Sequence, residues 1–289
     1  MPITTAVAAA NFALELEGQS FPVQTADGGA VVGVVVEGPA DASPFREKHL
    51  TGVQYEPLQV AVASFDAAHA LFDWIKTSWQ GTHVQKNGAV MRIGTNGRPV
   101  FRREFVKAVI GETTIPLLDG SSHNPAYVTV TLVPQLTRDV TPPTSLPPPG
   151  PGNTLTSSNF RLSIDGLDCT RVSKIDSFTV TQSVTGGLEF PNLRIELAIT
   201  SAASWLAWFR SFVIDGNSSP ANEKSGTLSF LTPNLASVLG TISFQNLGIF
   251  KLENAPAETS GDVTRVVADL YCERMEIAVG SPAHAVPKW

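Results

Sequence analysis

Asn11-Phe12-Ala13-Leu14-Glu15-Leu16-Glu17-Gly18 and Asn159-Phe160-Arg161-Leu162-Ser163-Ile164-Asp165-Gly166 are two statements of one pattern, N-F-x-L-x-[LI]-[DE]-G, set 148 residues apart (159 − 11). In each, apolar residues fall at every second position, the period of a half-buried strand, and an acidic-Gly pair ends the run as a turn. The agreement extends along the chain. Leu58-Gln59-Val60-Ala61-Val62 matches Leu193-Arg194-Ile195-Glu196-Leu197 at an offset of 135 (193 − 58), and Asp66 through Trp74 matches Ser201 through Phe209 at the same offset. Glu104 through Ile110 follows Ser243 through Ile249 at 139 (243 − 104), and Val128 through Leu132 follows Val267 through Tyr271 at 139 (267 − 128). Offsets that hold within blocks and change only between them are what a duplicated domain with altered loops leaves behind.

The 289 residues are enough for two domains of roughly 100–150 residues, each with its own core. The expected division is 1–140, a Pro-rich linker over 141–158, and 159–289. The linker contains Thr141-Pro142-Pro143-Thr144-Ser145-Leu146-Pro147-Pro148-Pro149-Gly150-Pro151-Gly152. Proline fixes φ and favours polyproline II, so this segment reads as a semi-rigid spacer between domains lying side by side.

Within each copy the pattern is mostly strand. Tyr127-Val128-Thr129-Val130-Thr131-Leu132-Val133 is rich in β-branched residues, and Asn87-Gly88 and Asn96-Gly97 flanking Val90-Met91-Arg92-Ile93 read as consecutive hairpin turns. One segment per copy switches to helical spacing. From Ser64 to Trp79 the apolar positions are Ala67, Leu71, Trp74, Ile75 and Trp79, with Ser64 or Asp66 as the cap. From Ser201 to Phe212 they are Trp205, Leu206, Trp208, Phe209 and Phe212. The fold class expected is mainly β with one helix per domain: two tandem small sandwiches or barrels, each closed by a helix packed across a sheet.

Composition excludes several function classes. Charged residues make up 16% and apolar residues 43%, a sparse surface charge that suggests surfaces covered by partners. The net charge is −6 and there is no Lys/Arg cluster longer than Arg102-Arg103, so wrapping around nucleic acid is not expected; a weakly acidic surface would instead let it slide past. Cys169 and Cys272 form neither a disulfide framework nor a metal motif and read as buried free thiols. Met1 to Val7 lacks the basic start of a signal peptide, so export by that route is not expected, and the sequon at Asn217-Ser218-Ser219 is then without meaning. The aliphatic run Ala30 to Val36 is too short to span a bilayer, so membrane insertion is not expected.

Chemistry is absent from the pattern. His49, His69, His83, His123 and His284 have no metal-ligand spacing, and no nucleophile elbow, phosphate loop or dinucleotide fingerprint occurs. Asp27-Gly28-Gly29 and Thr185-Gly186-Gly187 read as turns between strands, and Asp165 and Asp168 as a strand-end turn rather than an acid/base pair. No catalytic, cofactor-binding or metal-binding residue is expected, and no cofactor.

Several segments, taken in order, resemble the tail-tube protein family of contractile phages and phage-like injection systems. The opening strand, Phe12 to Gly18, is similar to the family's. So are a loop of the type K-x-x-G-x-x-Y at Lys48-His49-Leu50-Thr51-Gly52-Val53-Gln54-Tyr55, leading to Val60, and a helix ending in Trp74-Ile75. The Gly-x-Pro hairpin Gly97-Arg98-Pro99 with the strand to Phe105, and the closing strand Val128 to Leu132, complete the resemblance over roughly Asn11 to Leu136. The second copy keeps the opening strand, helix and closing strand. It lacks the Lys-Gly-Tyr loop before Phe190-Pro191-Asn192-Leu193 and replaces the Gly-x-Pro hairpin with Thr232-Pro233-Asn234-Leu235.

The resemblance implies a structural protein of a tail or injection-system tube. Six single-domain subunits of the family surround a pore, so a chain with two such domains would need three copies for a pseudo-sixfold ring. It implies contacts with copies of itself, with adjacent tube or baseplate rings and with a sheath. It further implies a virion tail or tail-like particle assembled in the bacterial cytoplasm, with DNA or an effector in the lumen. The divergent second copy suggests a specialised end ring, such as a baseplate hub, tube initiator or terminator, as an alternative to the bulk tube. A different alternative is a tandem β-sandwich module for carbohydrate or peptide, using Trp205 and Trp208 or Trp74 and Trp79; it requires some of those tryptophans to be exposed.

Overall fold

A computed structural model describes residues 11–39, 45–148, 152–183, 185, 187–255 and 264–280. The protein is mainly β. The first half runs β1 (Phe12–Leu16), β2 (Gln19–Val23), β3 (Thr25–Gly28), β4 (Val31–Glu37), β5 (Lys48–Tyr55), β6 (Leu58–Val62), α1 (His69–Trp79), β7 (Lys86–Ile93), β8 (Pro99–Ile115), β9 (Leu118–Asp119), β10 (Val128–Val133) and β11 (Leu136–Val140). The second half runs β12 (Phe160–Ile164), β13 (Val172–Ile175), β14 (Phe178–Gln182), β15 (Leu188–Glu189), β16 (Leu193–Ala198), α2 (Ala203–Phe209), β17 (Lys224–Leu231), β18 (Val238–Asn254) and β19 (Arg265–Val279).

The path β1-β7-β8-β10-β6-β3 in the first half recurs as β12-β17-β18-β19-β16-β13 in the second, with every ladder antiparallel. The two long strands even bend alike. Lys107 in β8 has φ 50° and Asn246 in β18 has φ 56°, and these positions lie 139 apart (246 − 107). A residue forced into this left-handed region breaks the ladder and turns a long strand around the core. The Asn87 side chain steadies the first kink by accepting from the Lys107 backbone N–H at 2.7 Å.

Register corrects one block of the sequence alignment. Leu132 lies opposite Leu58 and Leu270 opposite Leu193, so the closing strands correspond at 138 (270 − 132) and not at 139. A one-residue slip would turn every buried residue of the strand outward. The correspondence at 138 keeps Val128, Val130 and Leu132 buried alongside Val266, Ala268 and Leu270.

Other local expectations also change. Asn87-Gly88 is not a turn but lies inside β7, whereas Asn96-Gly97 does make the β7–β8 turn, with Gly97 at φ 74°. Gly88 is small because strands meet there: a Cβ would stand 2.2 Å from the Glu15 carbonyl oxygen and 2.5 Å from the Phe105 ring. Lys48 to Tyr55 is a strand and not a loop. Both helices are shorter than their apolar patterns. Ser64 accepts from the Ala67 N–H in the turn before α1, and α2 continues as a π-type turn over Arg210–Ile214. After the prolines the chain is laid onto the first half, with Leu155 buried and its N–H donated to the Ala63 carbonyl at 2.6 Å. Pro149, Gly150 and Pro151 lie outside the described residues.

Buried residues of the two halves form one contiguous cluster, from Leu14 and Phe21 to Met275 and Ile277. Gly88→Val should therefore destabilise the whole protein, by about 1–3 kcal/mol, seen as a lower urea midpoint. An unchanged midpoint would show that β1 and β8 can move apart.

Candidate assembly interface

The two halves are joined by strand addition. The C-terminal part of β8 pairs with β10 on one side and receives β14 on the other, with Phe178 opposite Ile115, Thr179 opposite Thr114, Val180 opposite Thr113 and Thr181 opposite Glu112. Thr114 and Thr179 hydroxyls meet at 2.9 Å, and Ser177 Oγ donates to the Ile115 carbonyl at 2.8 Å. Beside this ladder, β9 pairs with β13, and the Gly120 N–H donates to Ser173 O at 2.8 Å.

Helix α1 closes the junction by packing against β19 of the second half. Its buried Ser78 hydroxyl donates to Gln182 Oε1, and the Gln182 amide returns a 3.4 Å bond to the Ser78 carbonyl. The Trp79 ring stands edge-on to Phe190 at 6.3 Å, and Phe65 meets Phe230 at 5.2 Å. These rings remove large apolar areas from water, and the paired edges leave few backbone groups unsatisfied.

The elements equivalent to this junction at the outer ends of the chain are open. Strand β4 precedes β5 as β14 precedes β15, but Phe178, Val180 and Gln182 are buried whereas Val31 (54%), Val32, Val35 (58%) and Val36 are exposed. Leu50 (73%) and Val53 on β5 add to this apolar sheet. At the other end, β18 pairs with β17 only up to Leu247, so from Gly248 it carries β19 on one side alone among the described residues. Phe250 there is exposed. Helix α1 buries six side chains; α2 buries Trp205 and Trp208 and leaves Leu206 (51%) exposed, with Val213 and Ile214 (67%) beyond it. Burying a valine or leucine is worth about 1.5–3 kcal/mol, so leaving this many in water is a standing cost.

The sheets also carry balanced ion pairs. Arg102 makes two bonds to Glu15, at 2.8 and 2.9 Å, and reaches Glu104, which also receives Arg138 at 2.8 Å; Arg103 pairs doubly with Asp139 at 2.7 and 3.0 Å. Arg194 joins Asp269 and Glu253 across β16, β19 and β18. Arg138, and then Arg102, holds the Glu104 carboxyl below its usual range, and Arg103 does the same for Asp139.

The side chains weighed for chemistry are not brought together. Trp74, Trp79, Trp205 and Trp208 are all buried, and Trp74 and Trp205 donate their indole N–H to the Val84 and Asp168 carbonyls. This removes the exposed aromatic platform that a carbohydrate or peptide site would need. Asp168 bonds Thr170 within a turn, and Gly166 adopts φ 73°. Gly28 ends β3 and Gly29 follows it, both at positive φ; Gly186 and His284 are outside the described residues. Among the described residues no group of three or more His, Cys, Asp or Glu could hold a metal ion. Cys272 is buried and Cys169 half-buried, and burial pushes both thiols up to about 11. A groove of about 490 Å³ over the junction is lined by Glu112, Thr131, Thr181 and Glu189 with no basic side chain. No helix among the described residues is long and apolar enough to cross a membrane.

No family model and no curated protein matches this chain. Among solved structures it is similar to a chain of the anti-feeding prophage baseplate, at 14% identity and TM-score 0.40, covering 48% of this chain and 97% of that one. It is likewise similar to a chain of the sheath/tube terminator of an extracellular contractile injection system, at 15% identity and TM-score 0.40, covering 48% and 100%. A third likeness is to Hcp1 from Flavobacterium johnsoniae, at 17% identity and TM-score 0.29, covering 44% and 93%.

Two measurements check the interior. In a Trp289→Phe variant, iodide should leave most tryptophan emission intact, and strong quenching would reopen the platform reading. The Glu104 and Asp139 carboxyls titrate lower in the folded protein than in the unfolded chain, so their stabilisation is present above the unfolded values of about 4 and lost as pH falls through the folded values. The melting temperature should therefore fall as pH drops below about 4, and less steeply in a Glu104→Gln/Asp139→Asn variant.

Proposed function

We propose that this chain is a structural subunit of a phage-tail or contractile-injection-system tube, a tandem duplication whose units span 1–140 and 159–289, joined by 141–158. It assembles into a ring around a lumen. The observation that carries this reading is the junction between the halves: one unit already adds a strand to the next within the chain, while the corresponding surfaces at both ends are open and apolar. A protein so built finds its partner in another copy of itself. Three copies supply six units, the pseudo-sixfold number suggested by the resemblance to tail-tube proteins.

Buried thiols, structural aromatics and dispersed polar groups support scaffolding over catalysis. The lumen would carry DNA or an effector, with adjacent rings above and below and a sheath outside, in a tail-like particle assembled in the bacterial cytoplasm. A second reading is a specialised end ring. It is favoured by the contrast between the long β4–β5 hairpin and its counterpart, the two-residue ladder of β14 and β15. Stacking surfaces that differ between alternate units suit a boundary better than a uniform tube.

Light scattering and negative-stain microscopy of the purified chain test both readings. A ring of three times 30.7 kDa is expected, with long tubes for the bulk component and isolated rings for the end component. A chain that stays monomeric at high concentration would falsify the ring.

A further inference from the structure

We propose a specific head-to-tail pairing between copies: the start of β4 with the two residues before it, Gly29 to Val32 of one chain, adds antiparallel to the edge of β18 from Lys251 to Asn254 of its neighbour, an edge without a second partner among the described residues. The pairing deepens the ring reading and rests on it. Its template is the ladder inside the chain, where β14 adds to β8.

Register follows from correspondences already fixed by hydrogen-bonded pairing. The β8 and β18 ladders share a bulge against their closing strands: Leu132 faces Ile110 and Thr131 faces Glu112, while Leu270 faces Ile249 and Asp269 faces Lys251. Glu112 therefore corresponds to Lys251, and Thr113 to Leu252. On the partner strand, Ala26 faces Val60 and Ile175 faces Ile195, an offset of 149 (175 − 26). The hairpins keep that offset. Val32 faces Gln54 as Thr181 faces Glu189, two positions that stand 135 apart on their strands, like Leu58 and Leu193 (189 − 54). Val32 thus corresponds to Thr181. Since Thr181 lies opposite Glu112 and Val180 opposite Thr113, Val32 of one chain should lie opposite Lys251 of the next, and Val31 opposite Leu252.

Three surfaces fit this placement together. The exposed Val31 gains the cover that buries its counterpart Val180 inside the chain. The edge of β18 beyond Leu247 gains the second partner that β8 has in β14. The exposed Leu206, Val213 and Ile214, which correspond to Leu71, Ser78 and Trp79, come to lie where α1 lies on β19 of the second half, against β10 and β11 of the neighbour. The two faces are different, so the contact is heterologous and adds chains in one direction until a ring closes.

The test mixes two variants, Val32→Cys and Lys251→Cys, both at exposed sites and each in a Cys169→Ser/Cys272→Ser background so that it carries one cysteine, under mild oxidation. The expected result is a disulfide-linked heterodimer that forms only in the mixture, and a ladder of linked chains from the double variant V32C/K251C. Val31→Asp, also at an exposed site, should keep the far-ultraviolet circular dichroism of the parent and shift the chain to monomer. Oligomers that form without the Val32–Lys251 cross-link, or Val32→Cys chains that cross-link to each other, overturn the pairing while leaving the ring. A parent chain that is monomeric at every concentration overturns both.

Discussion

The structure depends on one interaction, the addition of β14 to the outer edge of β8. A small β unit on its own exposes a strand edge and one side of its helix. Here the second half covers both for the first: β14 takes the edge, and β19 with Phe190 and Phe230 takes the helix. The buried Ser78–Gln182 pair sits between them and fixes the register, because a shifted strand would leave the buried Gln182 carboxamide and Ser78 hydroxyl without each other. The same arrangement leaves the second half with an uncovered edge and an uncovered helix face, the unbalanced state from which the proposed assembly starts.

Charge is placed with economy. The carboxylates and guanidinium groups of Glu15, Arg102, Glu104 and Arg138 are spent on tying β1, β8 and β11 together. The exposed strands β4 and β5 instead present Val31, Val32, Val35, Val36, Leu50 and Val53. Exposed ion pairs contribute little to stability, about 0–1 kcal/mol each, and they also reach the open edge of β18, where Lys251 bonds Glu253 at 2.8 Å.

The halves share a strand path but differ in their loops. The β4–β5 hairpin is long, and its counterpart is a two-residue ladder followed by Phe190 and Pro191. Phe190 then serves the interior, packing on Trp79. The short second hairpin packs on the first half through Phe190, whereas β4 and β5 are largely exposed.

Much of this was legible in the sequence. Alternation in Phe12 to Leu16 and Phe160 to Ile164 gave the strands, helical spacing at Leu71, Trp74 and Ile75 gave the helix, and block offsets gave the correspondence of the halves. Such signals are local, set by the periods of strand and helix. Gly88 misled because a glycine at a turn and a glycine where strands collide look alike until the Glu15 carbonyl is in place. The closing strand slipped by one residue because Val267 and Val266 are equally apolar, and only opposition of Leu270 to Leu193 separates them. The exposure of β4 was hidden for the same reason: Val31 to Val36 reads only as an aliphatic run too short to span a bilayer. Whether an apolar strand is covered depends on what the fold places beside it, and that is a fact of tertiary structure alone.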